Sequence, residues 1–185
     1  MKKIASLISK TLEEMYLIPT IESSINAVLG EVSFEVNLKK DSDEEYCPHK
    51  LAVEYDSDID KLSIIFYYEH SFDDEYCMGF LARIIANFNW RISHGEYYFS
   101  EETGLIQYRF ELNYIGKHLT KEILKQAIND AFDAKESVQK GIFDSYFTVY
   151  NSYKTFGKID SLTFTEADND DDDYDDYDDY DDDEE

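Results

Sequence analysis

Apolar positions recur three and four apart over the first residues of the chain: Ile4, Leu7, Ile8, Leu12 and Met15. That spacing predicts an amphipathic helix over Lys2 to Tyr16, with Pro19 ending it. Thr20 to Leu29 reads as a further short helix closed by Gly30. The period then changes to two. Val32, Phe34, Val36 and Leu38 alternate with Ser33, Glu35 and Asn37, the pattern of a half-buried strand. Lys39 to His49 is polar and contains Pro48, which predicts a loop. Leu51, Val53 and Tyr55, then Leu62, Ile64 and Phe66, predict two more strands, with Ile65 and Tyr67 on the opposite face of the second. Asp56 to Asp60 supplies the turn between them. Three such strands joined by short connections make an antiparallel meander.

Ser71 is placed to cap a helix whose first turn carries Asp73, Asp74 and Glu75, complementing the helix dipole. Its apolar stripe is Tyr76, Phe80, Ile84 and Phe88, with Cys77, Leu81 and Ile85 beside it. Gly95 interrupts the pattern, and Tyr97 and Phe99 resume an alternation. Ser100 to Gly104 (SEETG) predicts a hairpin turn with Gly104 at positive φ. The returning strand, Leu105 to Tyr114, puts Ile106, Tyr108, Phe110 and Leu112 on one face. Thr120 caps the last helix, with Glu122 in its first turn and an apolar stripe through Ile123, Leu124, Ala127, Ile128, Ala131 and Phe132. Gly141 is read as a break or kink, since glycine inside a helix costs about 1 kcal/mol against alanine. Phe143, Phe147, Val149 and Tyr150 continue the helical pattern beyond it. The order α-β-β-β-α-β-β-α predicts an α+β fold, an antiparallel sheet with helices on one face.

The final twenty residues change the charge picture. Of the 42 acidic residues, 15 lie between Glu166 and Glu185, with no basic residue among them, so the preceding part carries −10 of the net −25. Such a segment has nothing to bury and is expected to be a disordered tail, leaving one domain over 1–165. Tyr174, Tyr177 and Tyr180 recur every third residue within it. The tail reads as a solubilising chain, as an anion for a basic protein surface with tyrosines adding cation–π contacts, or as a weak divalent-cation binder. An acidic surface disfavours phosphate-backbone binding and favours a basic or amphipathic protein partner. No direct nucleic-acid partner is expected. The N-terminal apolar run is interrupted by Lys10, Glu13 and Glu14, and no run approaches about 20 apolar residues, so neither a signal peptide nor a membrane span is expected. Two cysteines are too few for a disulfide framework, and the cytoplasm is the expected location.

The run NFNWRISHGEYYF from Asn87 to Phe99, the turn EETG, and Gln107-Tyr108-Arg109 carry a family resemblance. They resemble the YbjN domain family, also called bacterial sensory transduction regulators. Asn89, Gly95, Phe99, Gly104 and Arg109 stand at the family's pattern positions, and HLTKEIL is similar to its Leu-Thr-x-Glu helix start. The resemblance spans Lys61 to Phe132, under half the chain. It implies a fold like that of type III secretion chaperones, which are small, acidic, often dimeric and non-enzymatic. It therefore implies a regulatory or chaperone-like adaptor with a protein partner and a homodimeric state. The same residues have structural uses of their own. Gly95 suits a helix-to-strand corner, Asn89 a helix end, and Arg109 a pairing with Glu96 or the neighbours of Glu111.

Site chemistry is sparse. No Gly-rich phosphate loop, Gly-x-Ser-x-Gly elbow or dinucleotide fingerprint is present. Cys47-Pro48-His49 offers a thiolate–imidazole pair, set against a plain surface loop. Cys47, His49, His70 and Cys77 offer the elements of a zinc site but no ligand spacing. Cys77 lies on the apolar stripe of its helix and reads as core, and His94 as a loop histidine beside the corner. No cofactor, metal or catalytic residue is expected. The reading favoured by the sequence is a non-enzymatic protein binder with contacts at Tyr67, Tyr98 and Tyr108 on strands and Tyr174, Tyr177 and Tyr180 on the tail. The alternatives are a small hydrolase or metal-binding enzyme using Cys47 or His49, and an acidic nucleic-acid-mimicking inhibitor of a basic protein.

Overall fold

The computed structural model describes residues 2–20, 24–26, 29–38, 47–71, 75–100, 104–113 and 119–156. In chain order the elements are α1 (Lys2–Glu14), β1 (Ser24–Asn26), β2 (Glu31–Asn37), β3 (Pro48–Asp56), β4 (Lys61–Ser71), α2 (Glu75–Asn89), β5 (Glu96–Ser100), β6 (Leu105–Asn113) and α3 (Lys121–Phe156). The strands form one antiparallel sheet in the order β1-β2-β3-β4-β6-β5. This is the α+β arrangement expected, with one strand more. The helices gather on one face: α1 packs beside β2, α2 beside β5, and α3 against β4 and β6 as well as both other helices.

The period-two pattern explains which face they take. Val32, Phe34 and Val36 of β2, Leu51, Val53 and Tyr55 of β3, Leu62, Ile64, Phe66 and Tyr68 of β4, and Ile106, Tyr108 and Phe110 of β6 all enter one core. They meet Ile8 and Leu12 of α1, Leu81 and Ile84 of α2, and Leu124, Ile128, Phe143 and Tyr146 of α3. Each such side chain contributes roughly 1.5–3 kcal/mol when fully removed from water.

Four local expectations are corrected. Residues 24–26 form a strand rather than part of a helix, because Ser24, Ile25 and Asn26 pair with Ser33, Val32 and Glu31. Pro48 and His49 belong to β3 rather than to a loop; Pro48 is the first strand residue, where a missing N–H does least harm, and the register shifts between it and Lys50. Ser71 ends β4 opposite Leu105 instead of capping α2. Gly141 neither breaks nor kinks α3, which runs through it for 36 residues. A Cβ there would stand 2.7 Å from the Phe88 ring, so the glycine lets α2 and α3 approach closely.

Other expectations hold. Thr120 caps α3, accepting from the Ile123 N–H at 3.3 Å on its hydroxyl. The Glu122 carboxyl is held below its ordinary range by its own backbone N–H and by Thr120. Glu14 at the end of α1 takes Lys121 at 2.6 Å and Lys125 at 3.0 Å, tying the first helix to the last. Gly104 has φ +66°. Gly95 has φ +75°, and a Cβ there would come within 2.8 Å of the Arg109 carbonyl and strike the Tyr108 hydroxyl end. Both space and backbone angle therefore require glycine at that corner. The proposed loop at Lys39–Tyr46, Asp73 and Asp74, Glu101 to Thr103 of the turn, His118 and the tail 166–185 lie outside the described residues.

Candidate functional site

No described helix packs against the other face of the sheet. Its rows follow from the strand registers. One row runs Asn37, Lys50, Tyr67, Gln107, Tyr98; the next Glu35, Ala52, Ile65, Arg109, Glu96; the third Ser33, Glu54, Ser63, Glu111. Ala52 and Ile65 are each only 1% exposed although no described helix covers them. Their rows are flanked on this face by long charged and aromatic side chains, whose stems can shield apolar surface. These side chains make mixed contacts with one another. Lys50 Nζ lies 4.7 Å from the centre of the Tyr67 ring and 3.3 Å from Glu35. The Arg109 guanidinium lies 5.6 Å from the Tyr98 ring, and the Tyr98 hydroxyl donates to Glu96. Lys61 reaches Glu111 at 2.8 Å, and Arg109 reaches the same carboxylate at 3.7 Å.

Burial shifts the acid–base groups here. Partial dehydration raises Glu54 above its ordinary 4.5, with Glu31 and Glu35 adding to the effect and Arg109 and Lys61 opposing it. Dehydration also raises Tyr67, helped by the nearby Glu54. Tyr98 is pushed up to about 12 by burial and by Glu96. Beside Glu54 the face dips into a depression of about 250 Å³, walled by Glu31, Ser33, Asp56, Lys61, Ser63 and Arg109 among others.

A second concavity, of about 440 Å³, lies where the Gly95 corner meets α3 and is lined by Ser93, His94, Phe110, Asp130, Asp133 and Ser137. Its composition suggests a hydrolytic relay, but the bonding does not supply one. Among the described residues the His94 ring is hydrogen-bonded to Ser93 alone, at 3.0 Å. Asp130 accepts from Gln126 at 2.6 Å, and the Ser137 hydroxyl donates to the Ala134 carbonyl at 2.6 Å. A base oriented by a carboxylate, which nucleophilic catalysis needs, is not assembled.

The sequence-designated residues divide between the two faces. Tyr67 is half-buried on the open face, and Tyr98, beyond Gln107 in the same row, is 36% exposed. Tyr108 is the correction: it is fully buried on the helix-covered face, where its hydroxyl donates to the His94 carbonyl at 2.6 Å. It cannot touch a partner while the domain is folded. Asn89 does more than end α2. Its amide donates to the Tyr97 carbonyl and accepts from the Tyr97 N–H, both at 2.8 Å, and so closes the β5 edge against the helix. Phe99, opposite Ile106, packs against the core from β5. Arg109 stands opposite Glu96 in the register and pairs with Glu111. Cys47 is half-buried and His49 exposed, neither lines either concavity, and Cys77 is fully buried in α2. Among the described residues no three His, Cys, Asp or Glu side chains gather to hold a metal ion. Tyr174, Tyr177 and Tyr180 lie outside those residues.

The fold is similar to known ones. It is similar to that of a chain in the crystal structure of the ExsC-ExsE complex, at 17% identity and TM-score 0.45 over 75% of this chain and 92% of that one. It is also similar to a chain in the structure of the HopA1-SchA chaperone-effector complex, at 11% identity and TM-score 0.42 over 73% and 91%. No family model matches the sequence, and no curated protein matches it. The YbjN resemblance is therefore not shown by any family model. The sequence pattern located the corner and the hairpin but read Glu54, like Glu69 and Glu111, as a solvated strand carboxylate; its position opposite two serines becomes visible only once β2, β3 and β4 are in register.

Proposed function

We propose that this chain is a non-enzymatic protein-binding regulator or chaperone-like adaptor of the YbjN type, and that it holds a polypeptide on the open face of its sheet. One observation supports this above the others. The face that no described helix covers carries buried apolar residues, Ala52 and Ile65, in rows that also present Tyr67, Tyr98 and charged side chains. Half-buried aromatics framed by charge are the composition of a protein interface rather than of an ordinary solvated face. The domain would extend over 1–165, with residues 166–185 an acidic extension whose charge favours basic partners. Among the described residues no helix is long and apolar enough to cross a membrane. A homodimer belongs to the same proposal, and the mass of the particle in solution checks it.

The test compares the full chain with a Tyr67→Ala/Tyr98→Ala variant as bait for interacting polypeptides. The expected result is one defined polypeptide held by the wild type and lost by the variant, with circular dichroism unchanged. Equal recovery by both, or recovery of nothing by either, would sink the proposal.

A further inference from the structure

We propose that the depression beside Glu54 on the open sheet face receives an arginine or lysine side chain from an extended segment of a basic polypeptide partner. The inference rests on the protein-binding reading above and names the chemistry of what is bound.

Size comes first. The depression measures about 250 Å³, below the roughly 300–1,000 Å³ of sites for whole small molecules. It suits one long side chain. Charge comes next. Its wall holds three carboxylates, Glu31, Glu54 and Asp56, and two basic groups, Lys61 and Arg109. Both basic groups are drawn to a carboxylate outside that wall, Glu111, at 2.8 and 3.7 Å. Asp56 accepts from the Asp58 and Ile59 N–H groups and Glu31 is exposed, so Glu54 is the half-buried carboxylate without such a partner. Its strand neighbours on this face are Ser33 and Ser63, and among the described residues nothing hydrogen-bonds to it. Ser63 turns instead to Glu111, at 3.4 Å.

A carboxylate that is partly dehydrated and without a hydrogen-bond partner costs free energy, and its pKa is raised by that burial although Arg109 and Lys61 oppose the shift. An incoming ammonium or guanidinium would relieve it. An incoming anion would meet three carboxylates, with Lys61 and Arg109 of the same wall already drawn to Glu111. The chain's net charge of −25 brings cationic partners toward the surface in the same sense. Tyr67, on the next strand of the same face, offers apolar surface beside the charge, so a segment alternating basic and apolar residues matches the rows of the sheet.

The acidic residues of 166–185 would attract any polycation, so the probe must be small. The full chain is titrated with Ac-Leu-Arg-Leu-amide, and with the neutral citrulline isostere Ac-Leu-Cit-Leu-amide, while NMR shifts of Ser33, Glu54 and Ser63 are followed. The expected result is saturable shifts at those residues with the arginine peptide. The citrulline peptide and the Glu54→Gln variant should each weaken binding by about tenfold, the order of a close charge pair. Shifts confined to 166–185, affinity unchanged in Glu54→Gln, or no shift at Glu54 at millimolar peptide would each overturn the proposal. The broader reading fails separately: a polypeptide retained equally by the wild type and by Glu54→Gln, but lost by Tyr67→Ala/Tyr98→Ala, removes the socket and leaves the binding face.

Discussion

Tyr67 and Tyr68 are neighbours in β4, and Tyr97 and Tyr98 are neighbours in β5, yet each pair sends one ring to each face of the sheet. Tyr68 and Tyr97 are 0% and 1% exposed on the helix-covered face. Their hydroxyls lie 3.1 Å apart; Tyr68 donates to Gln139 at 2.8 Å and Tyr97 to the Lys135 carbonyl at 2.8 Å, both on α3. Burial pushes both phenols well above their ordinary range. The Lys135 ammonium, itself buried, sits 5.5 and 5.6 Å from the centres of the Phe66 and Phe132 rings and 3.3 Å from Gln139. Tyr67 and Tyr98 meet no described helix; their partners among the described residues are Lys50, Arg109 and Glu96. The difference teaches that one residue type, placed one position apart, can lock a helix to a sheet or cover an open surface. The deciding factor is whether the hydroxyl finds a fixed acceptor in the core.

The largest test of this contrast is Tyr68→Ala. Loss of a fully buried aromatic together with its bond to α3 should cost about 3–5 kcal/mol in chemical denaturation, and a cost below about 1 kcal/mol would break the contrast. Asn89→Ala comes next. It removes two hydrogen bonds from the Tyr97 backbone and should cost about 2 kcal/mol, with faster amide exchange along β5 as the local readout. Tyr67→Ala should cost only about 1 kcal/mol, as for a half-exposed side chain, so comparing it with Tyr68→Ala measures the two faces at adjacent positions.

Glu54→Gln has the smallest expected effect and an opposite sign. Because the folded-state pKa is raised, the unfolded chain loses its proton first as pH rises through 4.5. The penalty on folding therefore builds above that pH and is absent below it. The variant should melt higher than the wild type at pH 7 and equal to it at pH 4. A lower melting point at pH 7 would show Glu54 to be paired rather than stranded.

The alternation of Val32 to Leu38 and of Leu62 to Phe66 made both strands and their apolar faces legible, and Gly95 marked its corner because few other residues fit a positive φ against Arg109. What stayed hidden was tertiary. β1 is three exposed residues with no alternation, and it exists because β2 offers partners. Gly141 has poor helix propensity, but α3 is decided by the stripe it buries and by Phe88 across from it. Tyr108 shares a face with Ile106 and Phe110, so its burial was implicit in its own strand. Of the candidate site, the aromatic residues could be read from the sequence. The stranded Glu54 could not, since it depends on the register of three strands.

The most direct measurement of the central claim is site-specific photo-crosslinking in the full chain. A photoreactive phenylalanine is placed at Tyr67, on the open face, and separately at Ile123, which is 37% exposed on α3. The account predicts a discrete crosslinked polypeptide from position 67, suppressed by high salt, and none from position 123. Crosslinking from position 123 alone, or equally from both, would contradict it.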